Sequence, residues 1–262
     1  MSMTGNAEPA PAAGNAPASE VARLEQELAQ LRAEFQDFVY TVSHDLRAPL
    51  RHITAFTQVI AEDLPQAPPD ILGHLATIRQ SAQLLAQQLD GLTALSRLGQ
   101  QRLQLQPVAV VPLVQAVVDE LMLRQPARQV QWHLAQDVPP LWADPDLLRQ
   151  VFMHLLDNAL KFSRGNEVSV ISLTWQQLAG KPPGQSSRCD IQLRDNGVGF
   201  APERADKLFK VFGKLHLPRE FEGLGLGLVS CRKIMQRLGG DIHIEAALRQ
   251  GCCVTLSLPL AA

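Results

Sequence analysis

FVYTVSHDLRAPLRHI, residues 38–53, is the stretch on which the reading of this chain turns. It places His44 beside Asp45 on what the spacing predicts to be a long amphipathic helix. Val21, Leu24, Leu28, Leu31, Phe35, Phe38 and Val42 alternate spacings of three and four, the seam of a coiled coil. At about 100° per residue, His44 points roughly 200° around the helix from both Val42 and Leu46. The imidazole is therefore expected to face solvent while its neighbours pack. An exposed imidazole next to a carboxylate is available for chemistry.

Around that helix the chain divides by composition. Residues 1–19 are mostly Ala, Pro, Gly, Asn and Ser, too poor in large apolar residues to offset ordering entropy, and are expected to form a disordered tail. Residues 20–64 read as the first helix, ended by Pro65, Pro68 and Pro69. A second helix follows, with Ile71, Leu75, Ile78, Ala82, Leu85, Leu89 and Leu92 again alternating four and three. Residues 20–105 thus read as a coiled-coil entry and a helical hairpin. Its apolar stripes are better buried by pairing two chains into a four-helix bundle than by one hairpin. From residue 106 to 262 the pattern is mixed: a strand and helix in VAVVPLVQAVVDELML, a strand in RQVQWHL and a helix in DPDLLRQVFMHLLDNALKFS. Strands at 167–175 and 188–194, a helix after Gly227 and strands at 240–245 and 253–258 complete an α+β domain. Pro-Pro-Gly at 182–184 reads as a turn.

Composition excludes several classes. The 262 residues are 46% hydrophobic, enough for one or two packed domains, and the formal net charge of -2 gives no reason to propose nucleic acid as partner. The sequence has neither a run of about 18 apolar residues nor a leader pattern, so no membrane span is expected and the chain reads as soluble and cytoplasmic. Cys189, Cys231, Cys252 and Cys253 lack paired metal-ligand spacing and read as reduced, buried thiols.

The far half carries three further strings: DNALKFS from Asp157, DNGVGF from Asp195 and GLGLGL from Gly223. A lone DxGxG could equally close a surface turn, and GxGxG alone is a flexible loop. In this order, after SHDLRAPL, they resemble the H box, N box and two glycine boxes of sensor histidine kinases, across nearly everything from Glu20 to Ala262. The compact segment KLFKVFGKLHLPREFE resembles the family's F box and nucleotide lid. With HDLRAPLRHI and EFEG, it is most similar to the kinase modules of phytochrome-type sensors. The implied architecture is a helical hairpin forming a dimeric four-helix bundle, followed by an α/β-sandwich ATP-binding domain of the Bergerat or GHKL type.

The resemblance implies autophosphorylation of His44 from Mg-ATP through Nε2, then transfer to an aspartate on the receiver domain of a response regulator. Asp45 would hold the Nδ1 proton and fix the tautomer. It makes Asn158 the Mg²⁺ ligand, a suitable hard oxygen, and places Lys161, one turn on, at the phosphates. Asp195 is assigned to the adenine amino group, with Gly197 and Gly199 keeping the backbone close to the base. Gly223, Gly225 and Gly227 precede a helix and expose N–H groups to phosphate. Phe209 and Phe212 would anchor the lid, while Lys207, Lys214 or Arg219 could reach phosphate. Arg47 and Arg51 could steady the phosphates from the first helix, and Pro49 is expected to bend it. With no sensor domain evident in these residues, the stimulus is expected through an upstream partner or from a further region of a longer protein, and the seam at 20–42 is its conduit.

Three positions depart from the family pattern. His154 and Leu224 stand where Asn and Thr or Ser are usual. Ala48 replaces the Thr or Asn used to dephosphorylate regulators. The first two leave open a catalytically weak or inactive dimeric adaptor that keeps the fold. Gyrase, chaperone or mismatch-repair ATPases are the other alternative, against which the SHDLRAPL hairpin argues.

Overall fold

Long-range heptad spacing produces the first helix. In the computed structural model, which describes residues 16–178, 187–217 and 220–261, α1 runs unbroken from Ala16 to Asp63. It starts four residues before the expected boundary. It also continues through Pro49, whose missing N–H deprives the Asp45 carbonyl of its usual helical partner. A turn closed by Ala67 N–H to Leu64 O (3.0 Å) leads to α2, Pro69–Arg97. Proline at the first helical position and Asp70 in the first turn suit a helix start, and Arg97 in the last turn suits its end. Together α1 and α2 form the expected helical hairpin. The chain divides between residues 82 and 83 into two compact units.

Within the first unit, the seam read from the sequence is not the covered face. Phe35 and Phe38 are each 64% exposed, and Val21, Leu24, Leu28, Leu31, Val42 and Leu46 also face outward. The buried residues of α1 are Ser43, Leu50 and Thr57, spaced by seven. Within one chain the bulky apolar stripe, expected to pack between two chains, stays exposed, whereas the covered side carries the hydroxyls of Ser43 and Thr57 beside Leu50. Thr54 and Thr57 satisfy their hydroxyls on the Leu50 and Ile53 carbonyls (2.9 and 2.8 Å). Arg79 of α2 donates to Gln58 Oε1 of α1 (2.6 Å). Of the seam expected on α2, Ala82 is buried, whereas Ile71, Ile78 and Leu85 are exposed.

The second unit builds a sheet against helices. In chain order it contains β1 (Gln106–Val108), α3 (Val110–Arg124), β2 (Val130–Leu134), β3 (Leu141–Ala143), α4 (Pro145–Phe162), β4 (Ser169–Leu178) and β5 (Arg188–Asp195). A 3₁₀ turn (Pro202–Lys207), α5 (Gly227–Arg237), β6 (Asp241–Ala246) and β7 (Cys252–Pro259) complete it. The five-stranded sheet has the order β2-β4-β5-β7-β6, with β2 and β4 parallel and the other pairs antiparallel. Alternation along β5 puts Cys189, Ile191, Leu193 and Asp195 on the buried face, and β7 adds Val254, Leu256 and Leu258. They join one core with Val114, Val117 and Leu121 of α3 and with Ile234 and Met235 of α5. β1 and β3 form a separate antiparallel pair. The short strand β3 and the 3₁₀ turn were not anticipated.

Both ends of α4 are pinned. Asp144 caps its start, accepting from the N–H groups of Asp146 and Leu147 (both 3.1 Å), while its second oxygen accepts from Gln104 N–H (2.9 Å). At the other end, Arg128 donates to Leu160 O and to Ser169 Oγ (2.8 Å). The Cys189 thiol is pushed up to about 11 by burial, and burial also raises Cys231; all four cysteines are free, with Cys189 and Cys231 buried and Cys252 and Cys253 half-buried. The turn expected at 182–184 lies outside the described residues, as do residues 1–15. Among the described residues, no helix is long and apolar enough to cross a membrane.

Phe152 is fully buried at the middle of α4. Phe152→Ala is expected to destabilise this unit by about 3–5 kcal/mol in chemical denaturation. A loss below about 1 kcal/mol would contradict its placement at the centre of the core.

Candidate functional site

Helix α4 presents two chemically distinct faces. Leu147, Leu148, Val151, Phe152, Leu155 and Leu156 are buried in the core, whereas His154, Asn158 and Lys161 line a cavity of about 670 Å³. That cavity is also lined by Asp195 and Gly199, by Lys214, and by Gly223, Leu224, Gly225 and Gly227. Residues more than 60 positions apart in the sequence are thus gathered around one volume. Gly197 is not on the lining but sits behind Asp195. Arg219 lies outside the described residues, and Lys207 is exposed at the end of the 3₁₀ turn.

The polar groups constrain one another. Lys161 Nζ donates to Asn158 Oδ1 (3.0 Å) and lies 4.5 Å from the centroid of the Phe162 ring. Burial lowers the Lys161 pKa, opposed by Asp157 and Glu222 and reinforced by Lys214 and Arg164. An anion entering the cavity would relieve that penalty. His154 is likewise lowered by burial, with Asp157 opposing, so its imidazole stays on the neutral side. Asp195 Oδ1 accepts from Gly197 N–H (2.7 Å), and burial raises this carboxyl to about 6 despite lowering hydrogen bonds from the Gly197 and Cys252 backbone.

The glycines are demanded by backbone crowding. A Cβ on Gly197 would meet Phe162 O at 2.7 Å, and one on Gly199, where φ is 60°, would meet Ala247 O at 2.0 Å. The approach they permit here is therefore to protein backbone. Gly225, with φ of 73°, leaves room for Phe212 and Gly213 (2.8 Å), so the F-box segment rests on the second glycine box. Phe209 packs on the core under the Arg232 guanidinium (3.7 Å), and Phe212 itself adopts a φ of 60°.

Several lining groups were missed in the sequence. Phe162, His216 and Phe221 form an aromatic cluster, with centroids 4.9–5.5 Å apart. Phe162 follows Lys161 directly in DNALKF and offered the one available signal. Gly251 also went unread: its Cβ would fall 1.8 Å from Asp195 O. Asn196 ties the same region together, accepting from Val170 N–H and donating to Val168 O (both 3.0 Å).

In the first unit, His44 and Asp45 occupy an exposed face of α1, as expected. His44 Nδ1 lies 3.1 Å from Asp45 Oδ1, and Tyr40 stacks beside the imidazole with centroids 6.4 Å apart. With Nδ1 engaged, Nε2 is the ring nitrogen left for chemistry.

Whether the second unit fits a divalent ion can be judged from its donors. Asn158 Oδ1 is a hard oxygen on the cavity wall, and among the described residues no group of three or more His, Cys, Asp or Glu forms a metal cage. That donor set fits a Mg²⁺ ion for which Asn158 would be the protein ligand.

This combination of a phosphoacceptor-type hairpin and a glycine-boxed α/β sandwich defines a sensor histidine kinase, and the chain belongs to that family. The model described as Histidine kinase-, DNA gyrase B-, and HSP90-like ATPase matches residues 143–262, and that of the His Kinase A (phospho-acceptor) domain matches residues 36–101. Cyanobacterial phytochrome B of Nostoc sp. is 30% identical over 240 residues, covering 89% of this chain and 30% of that protein. The methanogenesis regulatory histidine kinase FilI of Methanothrix harundinacea is 31% identical, covering 87% and 25%. The adaptive-response sensory kinase SasA of a Synechococcus sp. is 30% identical, covering 92% and 64%. The chain therefore spans less than two thirds of these relatives. The crystal structure of full-length ShkA in complex with AMPPNP has the same fold, with TM-score 0.58 and 24% identity over 86% of this chain and 46% of that one.

The raised Asp195 carboxyl has a consequence for stability. Because its folded pKa of about 6 exceeds the ordinary 3.8, its favourable contribution is complete below about pH 4 and is lost as pH rises through 6. Asp195→Asn is expected to stabilise the ligand-free chain by about 1–3 kcal/mol at pH 8 and to change little at pH 4. Equal effects at both pH values in thermal unfolding would refute the buried-charge account.

Proposed function

We propose that this chain is an ATP-dependent histidine kinase that phosphorylates His44 and passes the phosphoryl group to an aspartate on the receiver domain of a separate response regulator. The observation that carries the reading is the exposed His44–Asp45 contact, in a chain that also gathers Asn158, Lys161 and the second glycine box around one cavity. Asp45 keeps the proton on Nδ1, leaving the Nε2 lone pair free. Nε2 attacks the γ-phosphorus in line, and the P–N bond forms as the bond to the ADP oxygen breaks. The imidazole is left as a phosphoramidate.

Within the cavity, Lys161 and Lys214 supply positive charge to the phosphates, and the loop of Gly223, Gly225 and Gly227 supplies backbone N–H groups at the start of α5. Asp195, once ionised, accepts from the exocyclic amino group of adenine. Asn158 would hold Mg²⁺, which would supply positive charge to the phosphates. The apolar stripe left exposed on α1 supports a homodimer, in which a second copy covers Phe35, Phe38 and Val42. The same stripe is the route by which an upstream sensor partner would shift the register near His44. We assign the chain to the cytoplasm, where ATP and a receiver domain are both available.

A second reading is favoured by His154 and Leu224: a dimeric adaptor that keeps the fold and binds without phosphorylating. Incubation with γ-labelled ATP and Mg²⁺ separates the two. Acid-labile, base-stable label is expected on the wild type and absent from His44→Gln and Asn158→Ala. ATP binding without label in the wild type would favour the adaptor.

Ala48, one turn past His44, offers no hydroxyl or amide to a water molecule. Phosphatase activity is therefore expected to be weak or absent. Rapid loss of phosphate from a phosphorylated cognate regulator, on adding this protein without nucleotide, would overturn that expectation.

A further inference from the structure

One basic side chain beside the cavity has no role in the account above. Arg164 lies just past the end of α4 and reaches 56 to 58 positions along the chain. Its guanidinium donates to Glu222 Oε2 (2.7 Å) and to the Glu220 carbonyl, and it lies 4.8 Å from the centroid of the Phe221 ring. Phe221 in turn packs on Phe162 at 4.9 Å, and Lys161 covers the Phe162 ring. Two packed aromatic rings, flanked by two cations, thus link the N box to the entrance of the second glycine box. Glu222 is followed immediately by Gly223, whose φ is 124° and which approaches Lys161 Nζ.

We infer that Arg164 is a positioning residue for the nucleotide, one that fastens Glu220, Phe221 and Glu222 to the end of α4 and so fixes where Gly223 and the Phe221 ring stand in the cavity wall. This rests on the reading of the cavity as an ATP site. Two physical effects converge on the same three residues. The fork geometry of a guanidinium satisfies a carboxylate and a carbonyl at once while its face meets an aromatic ring, an arrangement an ammonium group does not reproduce. Charge matters as well, because Glu222 adjoins the loop that would receive phosphates and would repel them unless offset. Arg164 supplies that offset, and its pairing helps hold the Glu222 carboxyl below its ordinary range, secondary to a backbone hydrogen bond. An exposed ion pair adds little to global stability, so the effect of losing it should appear in binding and not in unfolding.

The test is calorimetric titration of the full chain with Mg-ATP, alongside thermal unfolding. Arg164→Ala is expected to weaken ATP binding about tenfold with an unchanged melting temperature. Arg164→Lys should fall between the two. Unaltered affinity in Arg164→Ala, or Arg164→Lys that binds as tightly as the wild type, overturns the inference. A wild type that binds no ATP defeats the ATP reading itself, and this proposal with it.

Discussion

Everything at the cavity depends on the burial of one side of α4. Its apolar face is locked into the core by residues such as Phe152, Leu156 and Leu160, and its ends are held by Asp144 and Arg128. A helix anchored in this way cannot rotate without exposing that face. His154, Asn158 and Lys161 therefore stand at fixed azimuths, one turn apart, and the contact between Lys161 and Asn158 adds to a placement the helix already sets. The energy that places the chemistry comes from hydrocarbon on the opposite side of the helix.

The sheet contributes a complementary constraint. Asp195 ends β5 on its buried face, where alternation brings an acid among Ile191, Leu193 and Val254. The strand pattern thus delivers a carboxylate to a place where it is costly to ionise, and the Gly197 N–H only partly offsets the cost. A binding site that contains such a group is less stable empty than filled, and a ligand donor is the natural remedy.

Much of this was legible in the sequence, for physical reasons that also explain the omissions. The boxes were readable because Asn158, Asp195 and the glycines near 223–227 sit at element ends, where residue type follows directly from backbone or ligand demands. The helical hairpin was readable from its heptads, and the periodicity of large residues marked a stripe that a single chain leaves exposed. Ser43 and Thr57 carry no hydrophobic signal, so the covered side could not be found by seeking bulk. Strand β3 is three residues long and gains its definition from pairing with β1. Phe162, His216 and Phe221 meet only in three dimensions, and Gly251 lies 56 positions from the backbone that it must admit.

The crowding around the two glycine boxes bears on how mutational data from this chain would be interpreted. At positions 197, 199, 225 and 251 a methyl group already collides with main-chain atoms. Saturation mutagenesis would find all four intolerant, and two of them touch mainly the structure behind the cavity. Intolerance there reports on the path of the backbone before it reports on any ligand. The informative substitutions are those at Lys161, Lys214 and His216, where side chains meet the cavity and the main chain is free to stay in place.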